Sequence, residues 1–316
     1  MRRAMLLATT GILFGLTVTL FSASFLLASE SQRATEIPVG LSDFEFVDEQ
    51  GNADKPIRVW LYRPMEYNAE SPIVFVMHGT LRNGETYRKP WIPLADQYQC
   101  LVVVPEFSKA HYRSSRTYHF GNMRTKDGTE IESSKWTFSA IEHLFDDIRV
   151  RAGSRRRKYS IFGHSAGSQF VHRMVLFRND LRIDRAVAAN AGSYTLPSFK
   201  TEFPYGLKKS VASDSQLREA FTVPLLVLLG ENDTDADDKY LPRAPEAQAQ
   251  GKHRLARGHH FFSIAQDSAR RLKCGLKWQI EVVPNVGHDN KEMAPAAARA
   301  MFEMPRQRQR ECNAQM

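Results

Sequence analysis

Hydrophobic and polar residues alternate in two segments near the start of the chain, residues 44–47 and 57–62. This period is typical of antiparallel strands with one face in solvent. Six mainly apolar runs follow at residues 73–77, 101–104, 159–163, 185–190, 224–230 and 278–283. Runs of this kind are typical of strands buried on both faces of a parallel sheet. The pattern therefore predicts an α/β fold with an eight-stranded, mostly parallel sheet.

Segments with helical spacing separate most of the apolar runs and predict helices on both faces of the sheet. They are residues 87–99, with a break near Pro93, and residues 136–150, 168–177, 260–272 and 289–302. Residues 106–134 predict a long loop, and loops of this length often carry function. Residues 193–215 and 234–258 predict a small cap of loops and helices. Residues 234–258 are mostly polar, which predicts that this segment lies at the surface. The folded domain is expected to span residues 41–304.

The pentapeptide Gly163-His164-Ser165-Ala166-Gly167 joins one buried run to the helix at residues 168–177. It matches G-x-S-x-G, the pattern of a strand–turn–helix elbow that holds a nucleophilic serine in a strained conformation. The two glycines have no Cβ atom, so strand and helix can approach closely. The helix N-terminus favours an anion formed beside the serine. Ser165 is the predicted nucleophile.

Two later residues are predicted to activate Ser165. A serine hydroxyl needs a base, and the base needs an orienting partner. His288 follows the last strand and Asp233 follows the strand before it. Ligands of such sheets bind at the carboxyl ends of the strands, so these residues are expected to lie together. Other acidic residues compete with Asp233 for the orienting role: Glu231, Asp235, Asp237 and Asp238.

The order Ser, Asp, His along the chain resembles that of the α/β-hydrolases. From about residue 44 to residue 302, the chain is similar to secreted esterases grouped with polyhydroxybutyrate depolymerases and feruloyl esterases. Four motifs carry the resemblance: His78-Gly79, the serine elbow, Gly230-x-x-Asp233 and Gly287-His288. It implies the α/β-hydrolase fold and a catalytic triad of Ser165, His288 and Asp233.

The resemblance also implies an oxyanion hole made of two backbone N–H groups. One is that of Ala166, directly after the nucleophile, and the other belongs to the loop that follows His78-Gly79. Thr80 is the preferred second donor and Leu81 the alternative. The H-G-G-G motif of many lipases is not in the sequence.

Four side chains are candidates for substrate binding: His164, Trp91, Tyr118 and Tyr194. His164 lies inside the elbow motif. The three aromatic rings are suited to an acyl or aryl pocket, but they are equally suited to the hydrophobic core. The sequence leaves both interpretations open.

The predicted function is a secreted serine hydrolase that cleaves carboxylic esters through an acyl-enzyme. Peptidases, thioesterases and acyltransferases use the same triad and differ in the pocket and the acceptor. A catalytically silent binding protein is the alternative of another class. No cofactor and no metal are implied. Asp233-x-Asp235-x-Asp237 has calcium-loop spacing, but Asp238 and Ala244 stand where that loop needs Gly and Glu.

The N-terminus predicts export. Arg2 and Arg3 precede an uncharged, mostly apolar run at residues 4–28, which is the composition of a secretory signal. Residues 1–28 are therefore predicted to be a signal peptide and residues 29–40 a linker, with the protein secreted or periplasmic. The run is long for a signal peptide, so an uncleaved membrane anchor with the catalytic domain outside is the alternative.

The 316-residue chain has a formal net charge of +8, and residues 305–316 form a basic tail. No nucleic-acid-binding motif accompanies this charge, which predicts a solvated basic surface. The expected partner is a small-molecule or polymeric ester, without nucleic acid or a stable protein partner; a membrane enters only if the leader is uncleaved. Cys100 is predicted to be buried in a strand. This leaves Cys274 and Cys312 as a hypothetical disulfide in an oxidising compartment.

Overall fold

The computed structural model describes residues 36–303; the predicted signal peptide, most of the linker and the basic tail lie outside this range. Within it, the strands are β1 (Gly40–Phe46), β2 (Ile57–Arg63), β3 (Ile73–Met77), β4 (Leu101–Glu106), β5 (Tyr159–His164), β6 (Ile183–Ala189), β7 (Leu225–Gly230) and β8 (Gln279–Val283). They form one sheet in the order β1-β2-β4-β3-β5-β6-β7-β8. β2 pairs antiparallel with β1 and β4, and every other neighbouring pair is parallel. The predicted eight-stranded, mostly parallel sheet is confirmed.

The α-helices of the described region are α1 (Gly84–Arg88), α2 (Ile92–Tyr98), α3 (Thr137–Arg151), α4 (Ala166–Phe177), α5 (Asp214–Ala220), α6 (Pro245–Gln248), α7 (Arg254–Leu272) and α8 (Asn290–Phe302). A 3₁₀ turn, Lys89–Trp91, separates α1 from α2, and Pro93 lies in the first turn of α2. This agrees with the predicted break near Pro93. No helix in the part of the chain that is described has the length and apolarity needed to cross a bilayer.

Two hydrophobic clusters cover the two faces of the sheet. Phe75 of β3 belongs to the cluster that contains Phe145 of α3 and Phe170 of α4. Its neighbour Val76 belongs to the other cluster, which contains Ala297 of α8. Adjacent strand residues point to opposite faces, so an unbroken apolar strand supplies both clusters. Helices on both faces are confirmed.

The segment at residues 234–258 differs from the expected polar surface excursion, because α7 begins at Arg254 rather than near His260. Arg254 and Arg257 are each about 1% exposed. The guanidinium of Arg257 donates to the backbone carbonyls of Gly192, Pro242 and Gly251. A buried arginine whose donors are satisfied belongs to the interior, and residue type alone does not reveal this.

The cysteines of the described region are free thiols. Cys100 is completely buried, as predicted, and directly precedes β4. Cys274 follows α7 and is partly exposed. Cys312 lies outside the described residues, so the pairing of Cys274 with Cys312 stays a prediction.

Candidate active site

The serine elbow lies between β5 and α4. Ser165 has φ +59° and ψ −116°, a conformation that a residue with a side chain rarely adopts. A Cβ added at Gly167 would lie 2.0 Å from the Met77 carbonyl oxygen, and one at Gly163 would lie 2.2 Å from the Gly167 carbonyl oxygen. Both positions therefore require glycine. This geometry turns the chain sharply at Ser165 and presents it at the carboxyl end of β5.

The loops that follow β7 and β8 bring Asp233 and His288 into direct contact. His288 Nδ1 lies 2.7 Å from Asp233 Oδ2. The Asp233 side chain is 1% exposed and that of His288 is 23% exposed, so a buried carboxylate orients an accessible imidazole. Glu231, Asp235 and Asp237, which competed for this role in the sequence, are exposed.

His164 links the elbow to His288. Their ring centroids are 4.5 Å apart, and His164 is 3% exposed. The hydroxyl of Tyr87 lies 3.4 Å from His164 Nδ1. Burial, with the positive charges of His288 and Arg254 as smaller causes, holds the pKa of His164 well below its ordinary value. His164 is therefore a buried, neutral neighbour of His288, and its role in substrate binding stays a prediction.

The predicted oxyanion loop is a turn beside Ser165. A Cβ built on Gly79 would lie 3.8 Å from Ser165 Cβ. The N–H of Arg82 donates to the Gly79 carbonyl at 3.2 Å, which places Thr80 and Leu81 at the exposed tip of this turn. Ala166 is the first residue of α4, and an N–H at that position has no acceptor within its own helix.

The turn is supported from below by a buried network. The Tyr118 hydroxyl donates to the His78 carbonyl at 2.7 Å. The N–H of Phe107 donates to His78 Nε2 at 3.0 Å, and burial lowers the pKa of His78 to about 3. The guanidinium of Arg82 lies 3.9 Å from the centre of the Tyr118 ring. Tyr118 therefore holds the residue that precedes the turn.

The aromatic candidates for a pocket lie in the core. Trp91, Tyr118 and Tyr194 are all 0% exposed. The Trp91 ring packs 5.3 Å from that of Phe162, and the Tyr194 ring stacks 4.5 Å from that of Phe261. Of the two interpretations that the sequence left open, burial favours the core for all three rings.

Asn190 is a residue of the site that the sequence did not indicate. It follows β6 with φ +54°. Its Nδ2 donates to the Gly287 carbonyl at 3.2 Å, and its Oδ1 accepts from the Gly230 N–H at 2.8 Å. One side chain thus joins the end of β6 to the end of β7 and to the loop that carries His288. A left-handed asparagine after a strand would have been a signal, but φ is not visible in a sequence.

Arg254 and Tyr87 were also missed, because each lies far along the chain from the residues it contacts. Arg254 Nη1 lies 3.5 Å from Asp233 Oδ1.

Among residues 36–303, no group of three or more His, Cys, Asp or Glu side chains is arranged to hold a metal ion. The groups described at this site are a serine, an imidazole, a carboxylate and backbone donors.

Comparison with known proteins places this arrangement in context. No protein-family model matches the chain, and no curated protein matches it either. Among solved structures, poly(aspartic acid) hydrolase-1 from Sphingomonas sp. KT-1 is 39% identical with a TM-score of 0.82, covering 84% of this chain and 100% of that one. The poly(3-hydroxybutyrate) depolymerase from Bordetella parapertussis is 34% identical with a TM-score of 0.81, covering 84% and 90%. An S-formylglutathione hydrolase from Agrobacterium tumefaciens, at 15% identity, TM-score 0.56 and coverage of 84% and 95%, shares the fold.

Proposed function

The chain belongs to the α/β-hydrolases, in the group of serine hydrolases that includes poly(3-hydroxybutyrate) depolymerase, and is a carboxylic ester hydrolase; on that premise we propose that it works through a triad of Ser165, His288 and Asp233. The observation that carries this proposal is the 2.7 Å contact between His288 Nδ1 and the buried Asp233. Because Nδ1 faces Asp233, the other ring nitrogen of His288, Nε2, is left to act as the base. The His288 ring packs against that of His164, which directly precedes Ser165 in the chain.

Acylation follows from these positions. His288 takes the proton of the Ser165 hydroxyl as the oxygen attacks the ester carbonyl, and Asp233 stabilises the resulting imidazolium. The negative charge on the carbonyl oxygen is stabilised by the N–H groups of Ala166 and Thr80. The proton then passes from His288 to the alcohol, which leaves, and the acyl group stays on Ser165.

Deacylation repeats the sequence with water. His288 removes a proton from the water, which attacks the acyl carbonyl in the same oxyanion hole. The acid is released as Ser165 regains its proton. His288 acts as the base in both acylation and deacylation. This one group should therefore control the acid limb of the pH–rate profile.

The test is hydrolysis of a p-nitrophenyl ester series, from acetate to palmitate, by the parent and by Ser165→Ala. The proposal expects turnover of at least one ester by the parent and loss of that turnover in Ser165→Ala. Equal rates for the two folded proteins would contradict the triad. The profile over chain length measures the size of the acyl site.

A polymeric substrate is a more specific form of this proposal. The two relatives named above with more than 30% identity support it, because each is named for a polymer. One polymer is a polyester and the other a polyamide, so amide cleavage is the second candidate. Parent and Ser165→Ala should be offered poly(3-hydroxybutyrate) and poly(aspartic acid) in parallel, with release of carboxyl and amino ends titrated. New amino ends formed only by the parent would support amide cleavage; carboxyl ends alone would support ester cleavage.

Export of the enzyme is also proposed, on the composition of residues 1–28. A polymer too large to enter a cell has to be degraded outside it, so the two proposals agree. N-terminal sequencing of the protein from culture medium, periplasm and membranes is the test. A mature N-terminus near residue 29 outside the membrane supports a cleaved signal, whereas an intact Met1 in the membrane fraction supports the anchor.

A further inference from the structure

Arg254 is the first residue of α7, and its guanidinium lies between two carboxylates. Nη1 is 3.5 Å from Asp233 Oδ1, and Nη2 is 3.2 Å from Asp238 Oδ1. The side chains of Arg254 and Asp233 are each 1% exposed, and that of Asp238 is 21% exposed. The acid of the triad is therefore paired with a buried cation on the oxygen that His288 leaves free.

A second contact from the same turn of α7 holds the backbone of Asp233. The N–H of Leu255 donates to the Asp233 carbonyl at 3.3 Å. The turn itself is capped by His253, whose Nδ1 accepts from the Ala256 N–H at 3.3 Å. The first turn of α7 thus contacts Asp233 through one side chain and one main-chain group.

The two oxygens of Asp233 have different partners. Oδ2 faces His288 Nδ1 and Oδ1 faces Arg254. Rotation of the carboxylate would break both contacts. We propose that Arg254 is a positioning residue of the reaction: it keeps Asp233 aimed at His288, and Asp238 holds Arg254 in place. The inference rests on the proposed triad.

The charges around His288 determine in which direction the pH–rate profile should shift when Arg254 or Asp238 is replaced. Asp233 and Asp238 attract a proton to its ring, Arg254 repels one, His164 is neutral, and Asp289 lies on the same loop. Partial burial opposes the ionisation of Asp238, but its pairing with Arg254, the hydrogen bond from the Tyr240 N–H and the charge of His288 together outweigh this, and its pKa lies below the ordinary value. Loss of the positive charge of Arg254 should therefore move the acid limb of the pH–rate profile to higher pH, and loss of the Asp238 charge should move it to lower pH.

The chain offers a matched control on the same helix. Arg257 is buried to the same extent as Arg254, one turn further along α7, but donates to the backbone carbonyls of Gly192, Pro242 and Gly251. Arg257→Met and Arg254→Met remove the same volume and the same charge. Only Arg254→Met removes the contact with Asp233.

The experiment compares the full-length parent with Arg254→Met, Arg254→Lys, Arg257→Met and Asp238→Asn. Two readouts are used: the acid limb of kcat/KM against pH, and the NMR titration of the His288 ring, which needs no turnover. Arg254→Met should lower kcat about 10- to 100-fold at constant KM, as loss of a hydrogen bond to a charged group does. It should also move the limb to higher pH, and Arg254→Lys should recover part of both effects. Asp238→Asn should move the limb to lower pH, and Arg257→Met should leave it in place.

An unmoved limb in Arg254→Met, or the same shift in Arg257→Met, would overturn the proposal. If Arg254→Met does not fold, Asp238→Asn carries the test, because its side chain is partly exposed; a limb that fails to move to lower pH then overturns it. A folded parent without turnover would contradict the proposed function instead, and the NMR titration would still test Arg254.

Discussion

His288 and Asp233 are 55 positions apart in the chain, yet His288 Nδ1 lies 2.7 Å from Asp233 Oδ2. The sheet produces this contact, since β7 and β8 are parallel neighbours and Gly230 pairs with Val283 at their ends. Gly230 allows the close approach, because a Cβ there would lie 2.6 Å from the Val286 carbonyl oxygen. The two loops that leave these strands therefore begin side by side.

Asp233→Asn should lower kcat by roughly 10⁴-fold while the protein keeps its fold, because an amide favours the wrong tautomer of the histidine. Asp235→Asn is the control, since Asp235 is exposed and two residues away. Steady-state kinetics on a p-nitrophenyl ester measure both. Equal effects of the two substitutions would contradict the assigned role of Asp233.

Thr80→Pro tests the second oxyanion donor, because proline has no N–H. Thr80 is the second residue of the turn from Gly79 to Arg82, where proline is well accepted, so the backbone should change little. We expect kcat to fall about 10²- to 10³-fold, the usual effect of losing one such donor. Thr80→Ala keeps the N–H and should retain activity. An active Thr80→Pro would transfer the role to Leu81.

Gly167→Ala should destabilise the protein by about 1–3 kcal/mol or more, the cost of overpacking an interior. The added methyl would meet the Met77 carbonyl oxygen at 2.0 Å. Gly275→Ala is the control, since a Cβ there meets nothing within 4 Å. Urea denaturation of both variants measures the difference. Equal stability would show that strand and helix can separate at the elbow.

The free energy of unfolding should fall as pH drops below about 6.5. Burial is the main cause that lowers the pKa of His78, His119, His164 and His172. The unfolded chain takes up protons on these side chains near pH 6.5 and the folded chain does so only at lower pH, so the stability present above pH 6.5 is lost on acidification. Each histidine contributes up to about 1.4 kcal/mol per pH unit.

Urea denaturation at pH 7.5, 6.0 and 5.0 measures this slope. His119→Gln removes one of the four groups and should make the slope shallower by about one proton. A free energy of unfolding that is constant or rises from pH 7.5 to pH 5.0 would contradict the prediction.

The sequence alone predicted those parts of the fold in which the type of residue indicates directly whether it is buried. Apolar runs predicted the buried strands, and the glycines of the elbow predicted the turn at Ser165. Asp233 was selected over its acidic neighbours because the Gly230-x-x-Asp233 motif resembles that of the α/β-hydrolases, and it is the buried one among them. Strand order then placed Asp233 and His288 at one edge of the sheet.

The parts that were missed depend on how polar side chains are satisfied in three dimensions. Arg254 and Arg257 are charged, so the polar segment that contains them was expected to lie at the surface. Both guanidinium groups are nevertheless buried among acceptors. Tyr118 supports the predicted oxyanion turn through its hydroxyl, a contact that hydrophobic periodicity does not predict. Aromatic residues suit a pocket and a core equally well, so only packing separates the two.

The most direct test of the account is covalent labelling of the full-length protein with a fluorophosphonate, followed by intact-protein mass spectrometry and peptide mapping. A fluorophosphonate requires only an activated serine and an oxyanion site, so the result does not depend on guessing the natural substrate. The account predicts one adduct on Ser165, none on Ser165→Ala, and much slower labelling of Asp233→Asn. A folded parent that stays unlabelled, or an adduct on another serine, would contradict it.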